Sequence, residues 1–240
     1  MMCCLVAGPA LSKGRGLPVQ ASLVEASRVL PPYVSATYVA QCPSSHPHPV
    51  GGEFDETSSG GLGMVALAAS HPQGKRGWVV VVQNLSDQPQ GYLVGVICLR
   101  ASARFAYPRV TYVVDPRGTS GAIVGCPNTA PHAISGYFSV QSSADLGKGL
   151  LDNWGIYKNG KQEFGVAGVK SVSGAPIGMY GGAVCTSLQT GSSGFHSTVA
   201  PGMTEAQIAP CPRKTPVAVG GFAFAKAVAD DGAIVLIAMG

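Results

Sequence analysis

The sequence predicts an all-β protein: three imperfect antiparallel β-sheet repeats in a pseudo-threefold, prism- or barrel-like array that the N-terminal strand would close. Three observations carry this. Of 240 residues, 33 are Gly and 18 are Pro, and charged residues make up only 12%, against roughly 25% in an ordinary soluble domain. Hydrophobic residues reach 46%, so the chain can fill a core and does not have the composition of a disordered one. Short Val-, Ile- and Ala-rich runs are bounded by Gly, Pro, Asn and Ser, and no segment sustains a 3.6-residue period. Finally, one pattern is written three times.

The pattern opens with Cys-Pro and reaches a glycine-aromatic element. Cys42-Pro43 leads to Val50-Gly51-Gly52-Glu53-Phe54, Cys126-Pro127 to Ile134-Ser135-Gly136-Tyr137-Phe138, and Cys211-Pro212 to Val219-Gly220-Gly221-Phe222. The span from Cys to Phe is the same in the first two copies and one position shorter in the third. The interval from Cys42 to Cys126 matches that from Cys126 to Cys211 to within a single position. The run starting at Gly63 lies as far beyond Cys42 as the run starting at Gly232 lies beyond Cys211. Closing strands Gly95-Val96-Ile97-Cys98 and Gly182-Ala183-Val184-Cys185 end the first two repeats. The organisation is a closing strand and linker over 1–34, repeats over 35–101 and 119–187, and an incomplete repeat over 204–240, together one compact unit.

Along the chain, Met1 to Ala7 is apolar but short and lacks a basic region, so it reads as a signal-peptide stub or a first strand. Gln20 to Leu30 is the best helix candidate. In the first repeat, Gly51-Gly52 suits a bulge or a close backbone approach; Gln73 to Gly77 and Asp87 to Gly91 read as turns. In the second, Asn159-Gly160 signals a two-residue hairpin. The third repeat reaches Gly240 without a closing Cys strand. Cys4-Leu5-Val6-Ala7 looks like Cys98-Leu99-Arg100-Ala101, so an N-terminal strand could complete the last unit. The same strand could come from a neighbouring molecule, or the last unit could be degenerate or the chain a fragment.

The seven cysteines include no CxxC, which leaves a zinc ribbon or thioredoxin-type site without support. Their wide spacing suits disulfides in an oxidising compartment; the alternative is buried thiols. Pairing the first and last strands of each unit predicts Cys42–Cys98 and Cys126–Cys185, each stabilising by about 3–4 kcal/mol. Cys4, or Cys3, would bridge Cys211.

Signals for chemistry are sparse. The net charge of +4 is dispersed, with Lys75-Arg76 and Arg213-Lys214 the only adjacent basic pairs, which argues against specific nucleic-acid binding. No apolar run is long enough for a transmembrane helix. Ser120 lacks the spacing of a nucleophile elbow. His46-Pro47-His48 resembles half a metal site, but no third ligand is evident. Asp55-Glu56 and Asp230-Asp231 are the only adjacent carboxylates, and the latter reads as a turn. Gly60 to Gly63 has no strand-to-helix context for a dinucleotide site. Asn84-Leu85-Ser86 is a glycosylation sequon, meaningful in a eukaryotic secretory host. Trp78, inside a Val run, belongs to the core; Trp154, in a polar stretch, is the candidate exposed ligand contact. No catalytic, cofactor or metal residue is assigned, and the chain does not read as an enzyme.

The first repeat, from Gln41-Cys42-Pro43 through Val50-Gly51-Gly52-Glu53-Phe54 and Gly77-Trp78-Val79-Val80-Val81-Val82 to Val96-Ile97-Cys98, resembles a repeat of actinobacterial secreted proteins. The second keeps the cysteines but writes Ser-Gly for Gly-Gly and Phe164 for the Trp; the third keeps its first half. The resemblance implies an exported β-fold without an assigned activity. The expected function is a non-enzymatic, self-assembling surface or virion-type protein (a coat, decoration or extracellular filament subunit) located outside the cell, on its surface or on a virion. Its partners would be further copies or other assembly subunits. The alternative is a secreted, lectin-like module with a glycan partner.

Overall fold

The computed structural model describes residues 2–5, 19–57, 64–193, 217–221 and 238–239. Among them every element is a strand apart from one 3₁₀ turn at Ser143–Asp145, and every strand pairing is antiparallel. The chain starts with β1 (Met2–Leu5). A first unit follows: β2 (Gln20–Leu30), β3 (Ser35–Gln41), β4 (His48–Glu56), β5 (Val65–Gln73), β6 (Gly77–Asn84) and β7 (Gln90–Arg100). Here β7 lies between β2 and β4, and β6 between β3 and β5. The six strands thus make two sheets, with orders first-sixth-third and second-fifth-fourth.

The second unit repeats this arrangement with β8 (Phe105–Ala106), β9 (Arg109–Val114), β10 (Thr119–Gly125), β11 (His132–Val140), β12 (Gly149–Asn159), β13 (Gln162–Ser171) and β14 (Ile177–Thr186). β14 lies between β9 and β11, with β8 extending the β9 side, and β13 lies between β10 and β12. Irregularities recur too. The ladder skips one residue between Pro49 and Gly51 and again between Ala133 and Ser135. Tyr33 and Arg117, two residues before β3 and β10 respectively, both hold φ of 55°. Their N–H groups donate to the carbonyls of Ser86 at 3.2 Å and Ser173 at 3.1 Å. A left-handed non-glycine residue costs about 1–2 kcal/mol, and both units carry that strain at the same corner.

β5 pairs with β11 at Ser70 and Phe138, which fuses one sheet of each unit into the seven-stranded sheet. The remaining strands are β15 (Thr190–Ser193), β16 (Val217–Gly221) and β17 (Ala238–Met239). β17 extends the sheet of β4, β7 and β2. β15, β1 and β16 form a separate sheet with β1 in the middle.

Two expectations are corrected. Residues 20–30 are not a helix: they pair with β7 at every successive position, from Gln20 opposite Arg100 to Leu30 opposite Gln90. Val24 and Val29 favour this extended backbone, and over most of the strand exposure alternates with a period of two. The barrel form is not found either. No sheet among the described residues closes on itself, because each unit turns its hairpins over into two sheets and leaves outer edges at β2, β3 and β10.

The turn expectations hold, with one shift. Gly74, at φ 63°, turns β5 into β6. Between β12 and β13 the two-residue loop is Gly160-Lys161, because Asn159 faces Gln162. Gly160 has φ 60°, as the first central residue of a type II′ turn requires. Trp78, Phe54, Phe138, Leu30, Leu99, Ile134, Ile177 and Met179 are fully buried in one cluster drawn from both units. Trp78 stands edge-on to Tyr137 with centroids 6.4 Å apart.

Candidate functional site

Both expected disulfides are present. Cys42–Cys98 and Cys126–Cys185 each have Cα atoms 5.6 Å apart and close separations of 56 and 59 residues. Cys42 and Cys126 stand directly after β3 and β10 and are tied to β7 and β14, so each bond bridges the two sheets of its unit. All four sulfurs belong to buried residues. Cys4 lies on β1, between Gly191 and Ala218. Cys211, and with it the Cys4–Cys211 pairing, lies outside the described residues. Trp154 has its backbone on β12 opposite Ala167; its side chain lies outside the described residues.

One close approach between sheets is at Gly52. A Cβ there would sit 2.5 Å from both Ser70 Oγ and Trp78 Nε1. Trp78 Nε1 donates to Ser70 Oγ at 2.9 Å across that space. The glycine lets β4 lie directly on this buried bond, which is the close approach its sequence context suggests.

The second unit docks on the bulge of the first. Val50 has no ladder partner, and its carbonyl accepts Ser135 Oγ at 2.9 Å. Tyr107 OH donates to Pro49 O at 2.8 Å. Tyr137 OH donates in turn to Tyr107 O at 2.9 Å and Pro108 O at 3.1 Å. Burial pushes the Tyr137 phenol up to about 12, so it stays a donor. Ser135 occupies the repeat position of Gly51, so the Ser-Gly departure of the second repeat supplies a hydroxyl for this joint.

Two carboxylate groupings were not found from sequence. Glu163, buried on β13, accepts Lys158 Nζ at 2.7 Å, the Ala133 N–H at 2.9 Å and Thr190 Oγ1 at 3.4 Å, with His132 Nδ1 also 3.4 Å away. Burial pushes its carboxyl up, but Lys158, Ala133 and His132 outweigh that and hold it below the ordinary range. A carboxylate so occupied is a clamp between β11, β12, β13 and the start of β15. Glu25 and Glu53 flank Gly95 on the same rung. Burial first, then the charges of Glu25 and Asp55, raise the Glu53 carboxyl to about 7. Its Oε2 is buried without a hydrogen-bond partner. This group can hold a proton at neutral pH.

The remaining chemical candidates disperse. Ser120 lies on β10 opposite Val169. His46 Nδ1 meets Ser45 Oγ at 3.1 Å, whereas His48 stacks on Phe105 at 4.4 Å and burial lowers its pKa. Asp55 is exposed and Glu56 buried. Among the described residues no three His, Cys, Asp or Glu side chains meet as metal ligands. Asp230-Asp231 and residues 60–63 lie outside the described residues. The sequon reading is corrected: Asn84 is fully buried and its Nδ2 faces the carbonyls of Leu30 (3.1 Å), Pro31 (3.0 Å) and Gln88 (2.7 Å). Its Oδ1 accepts the N–H and hydroxyl of Ser86 at 2.9 and 2.8 Å. The amide is a structural hub with no room for a glycan. Compared with protein-family models, curated proteins and solved structures, the chain has no match.

Proposed function

We propose that the protein is a non-enzymatic structural subunit that self-associates outside the cell, as a coat, decoration or filament component of a cell surface or virion. One observation carries this reading. Val39 on β3 and Ile123 on β10 are 47% and 62% exposed, and both strands lie at sheet edges. Each residue stands three before its Cys-Pro cysteine, and Ile208 has the same place before Cys211. Soluble proteins blunt such edges with Lys, Pro or a bulge. β3 (SATYVAQ) and β10 (TSGAIVG) carry no charge and no proline, which suits pairing with a second copy through β-addition. Two buried disulfides support an oxidising compartment, in keeping with the likeness to actinobacterial secreted repeats.

The architecture proposed with this function is three units around an approximate threefold axis. Ser70 has the same place after Cys42 that Met239 has after Cys211. These two residues stand opposite Phe138 and Phe54, which in turn hold equal places after Cys126 and Cys42. Trp154 has the place of Ser70 and Met239, counted from its own cysteine, Cys126. In this reading its backbone position on β12 belongs to the third joint.

Light scattering on a size-exclusion column tests the reading. The wild type should elute at multiples of 24.4 kDa, and the Val39→Lys/Ile123→Lys variant should return to monomer with its fold intact by circular dichroism. A wild type that stays monomeric up to high micromolar concentration overturns self-association. If that monomer binds an immobilised glycan array, the lectin-like alternative replaces it.

A further inference from the structure

We infer that Cys4, and not its neighbour Cys3, forms a third disulfide with Cys211 of the same chain. The inference rests on the three-unit reading and deepens it. Three ladders share one register. Cys98 faces Pro49, Cys185 faces Ala133, and Cys4 faces Ala218. Pro49, Ala133 and Ala218 hold one and the same place after the Cys-Pro cysteines of their repeats, Cys42, Cys126 and Cys211. In each ladder the next residue is skipped: Val50, Ile134 and Val219. The preceding residue of the closing strand then faces Gly51, Ser135 and Gly220. On the outer side the correspondence continues, with Ser22 opposite Cys98, Ala106 opposite Cys185 and Gly191 opposite Cys4.

In the first two units the cysteine at this register position is bonded to the Cys-Pro cysteine of its own repeat. β1 holds the same position with Cys4. Cys3 takes the place of Ile97 and Val184, which make no cross-link. Successive residues of a strand alternate between faces, so a one-residue change of partner would not preserve the geometry shared by the other two bonds.

Formation needs an oxidant, and a small-molecule disulfide such as oxidised glutathione supplies it. The thiolate of one cysteine attacks that disulfide and releases one thiol. The second thiolate displaces the other half, leaving the Sγ–Sγ bond, with both electrons and both protons carried away on two small thiols. The bond would fasten β1, the middle strand of its sheet, to the far end of the chain.

The test is a peptide map of the full chain, oxidatively folded, alkylated without reductant and digested at low pH. Tandem mass spectra of the monomer band should show Cys4 joined to Cys211 and the alkyl label on Cys3. Thiol titration should count one free thiol in the wild type, none in Cys3→Ser and two in Cys4→Ser. A Cys3–Cys211 linkage, an alkylated Cys211, or the bond found only between chains overturns the inference. The bond in a protein that never associates leaves this inference standing and removes the assembly reading. Oligomers with an alkylated Cys211 do the reverse.

Discussion

Replacing Gly52 by Ala should be among the most damaging single-methyl changes in the protein. The added Cβ would sit 2.5 Å from both ends of the Trp78–Ser70 hydrogen bond and 3.0 Å from Trp78 Cδ1. Trp78 is fully buried, so its indole cannot swing into water, and the ring or β4 must shift. Overpacking of this kind costs about 1–3 kcal/mol. An indole N–H left unpaired in the core adds about 1–3 kcal/mol. The sum of the two ranges, about 2–6 kcal/mol and centred on about 4, is a large share of the roughly 5–15 kcal/mol that holds a domain folded. It corresponds to a melting temperature about 10 °C lower. Urea unfolding followed by tryptophan fluorescence measures it, as a lower midpoint with an unchanged slope. Ser70→Gly opens space on one side of the new methyl. The double variant should therefore be less destabilised than the two single changes added together. A Gly52→Ala protein within about 0.5 kcal/mol of wild type, the ordinary range for surface changes, would refute the close approach as the reason for the glycine.

Two further outcomes follow from buried polar groups. Asn84→Ala strips partners from three carbonyls and from Ser86, and should cost about 3 kcal/mol in the same unfolding assay; a neutral variant would mean that the hub is dispensable. Glu53 gives a pH signature. Its folded carboxyl titrates at about 7 against an ordinary 4.5, so between those values the folded state keeps a proton that the unfolded chain releases. The contribution is therefore complete below the unfolded value and lost as pH rises through the folded one. Because the side chain is only partly buried, the loss is discounted for screening to about 1–2 kcal/mol. Glu53→Gln should abolish it. If the wild-type-minus-variant stability difference is flat or rises between pH 5 and 8, the raised carboxyl is wrong.

Much of the fold was legible because the repeat preserves what disulfides and bulges need. A constant Cys-Pro spacing predicts which cysteines meet, and Gly-Gly marks the place where β4 lies against Trp78. What escaped depended on register. Residues 20–30 contain Gln, Ala, Leu, Glu and Arg, all compatible with a helix, and only the unbroken ladder with β7 settles them as a strand. A hairpin centred on Asn159-Gly160 would set Lys158 opposite Lys161. The turn one residue later sets it opposite Glu163, and that slip creates the clamp. Glu25 and Glu53 meet only because both pair with Gly95. The sequon at Asn84 is a three-residue pattern, blind to the burial that the loops around it impose.

The position of β1 also orders events during synthesis. Residues 2–5 leave the ribosome well before their ladder partners, residues 190–193 and 217–221. At roughly 5–20 residues per second, those partners follow about 10–40 seconds later. The first unit can pair β2 with β7 in that interval, and the second can follow, each from contacts within its own stretch of chain. β1 must wait with its backbone unpaired until residues 190–193 and 217–221 have emerged. Contacts of such long range are the slow ones in folding. Pairing of β1 is therefore a late cooperative step, and the interval before it is when this strand is most open to capture by another molecule.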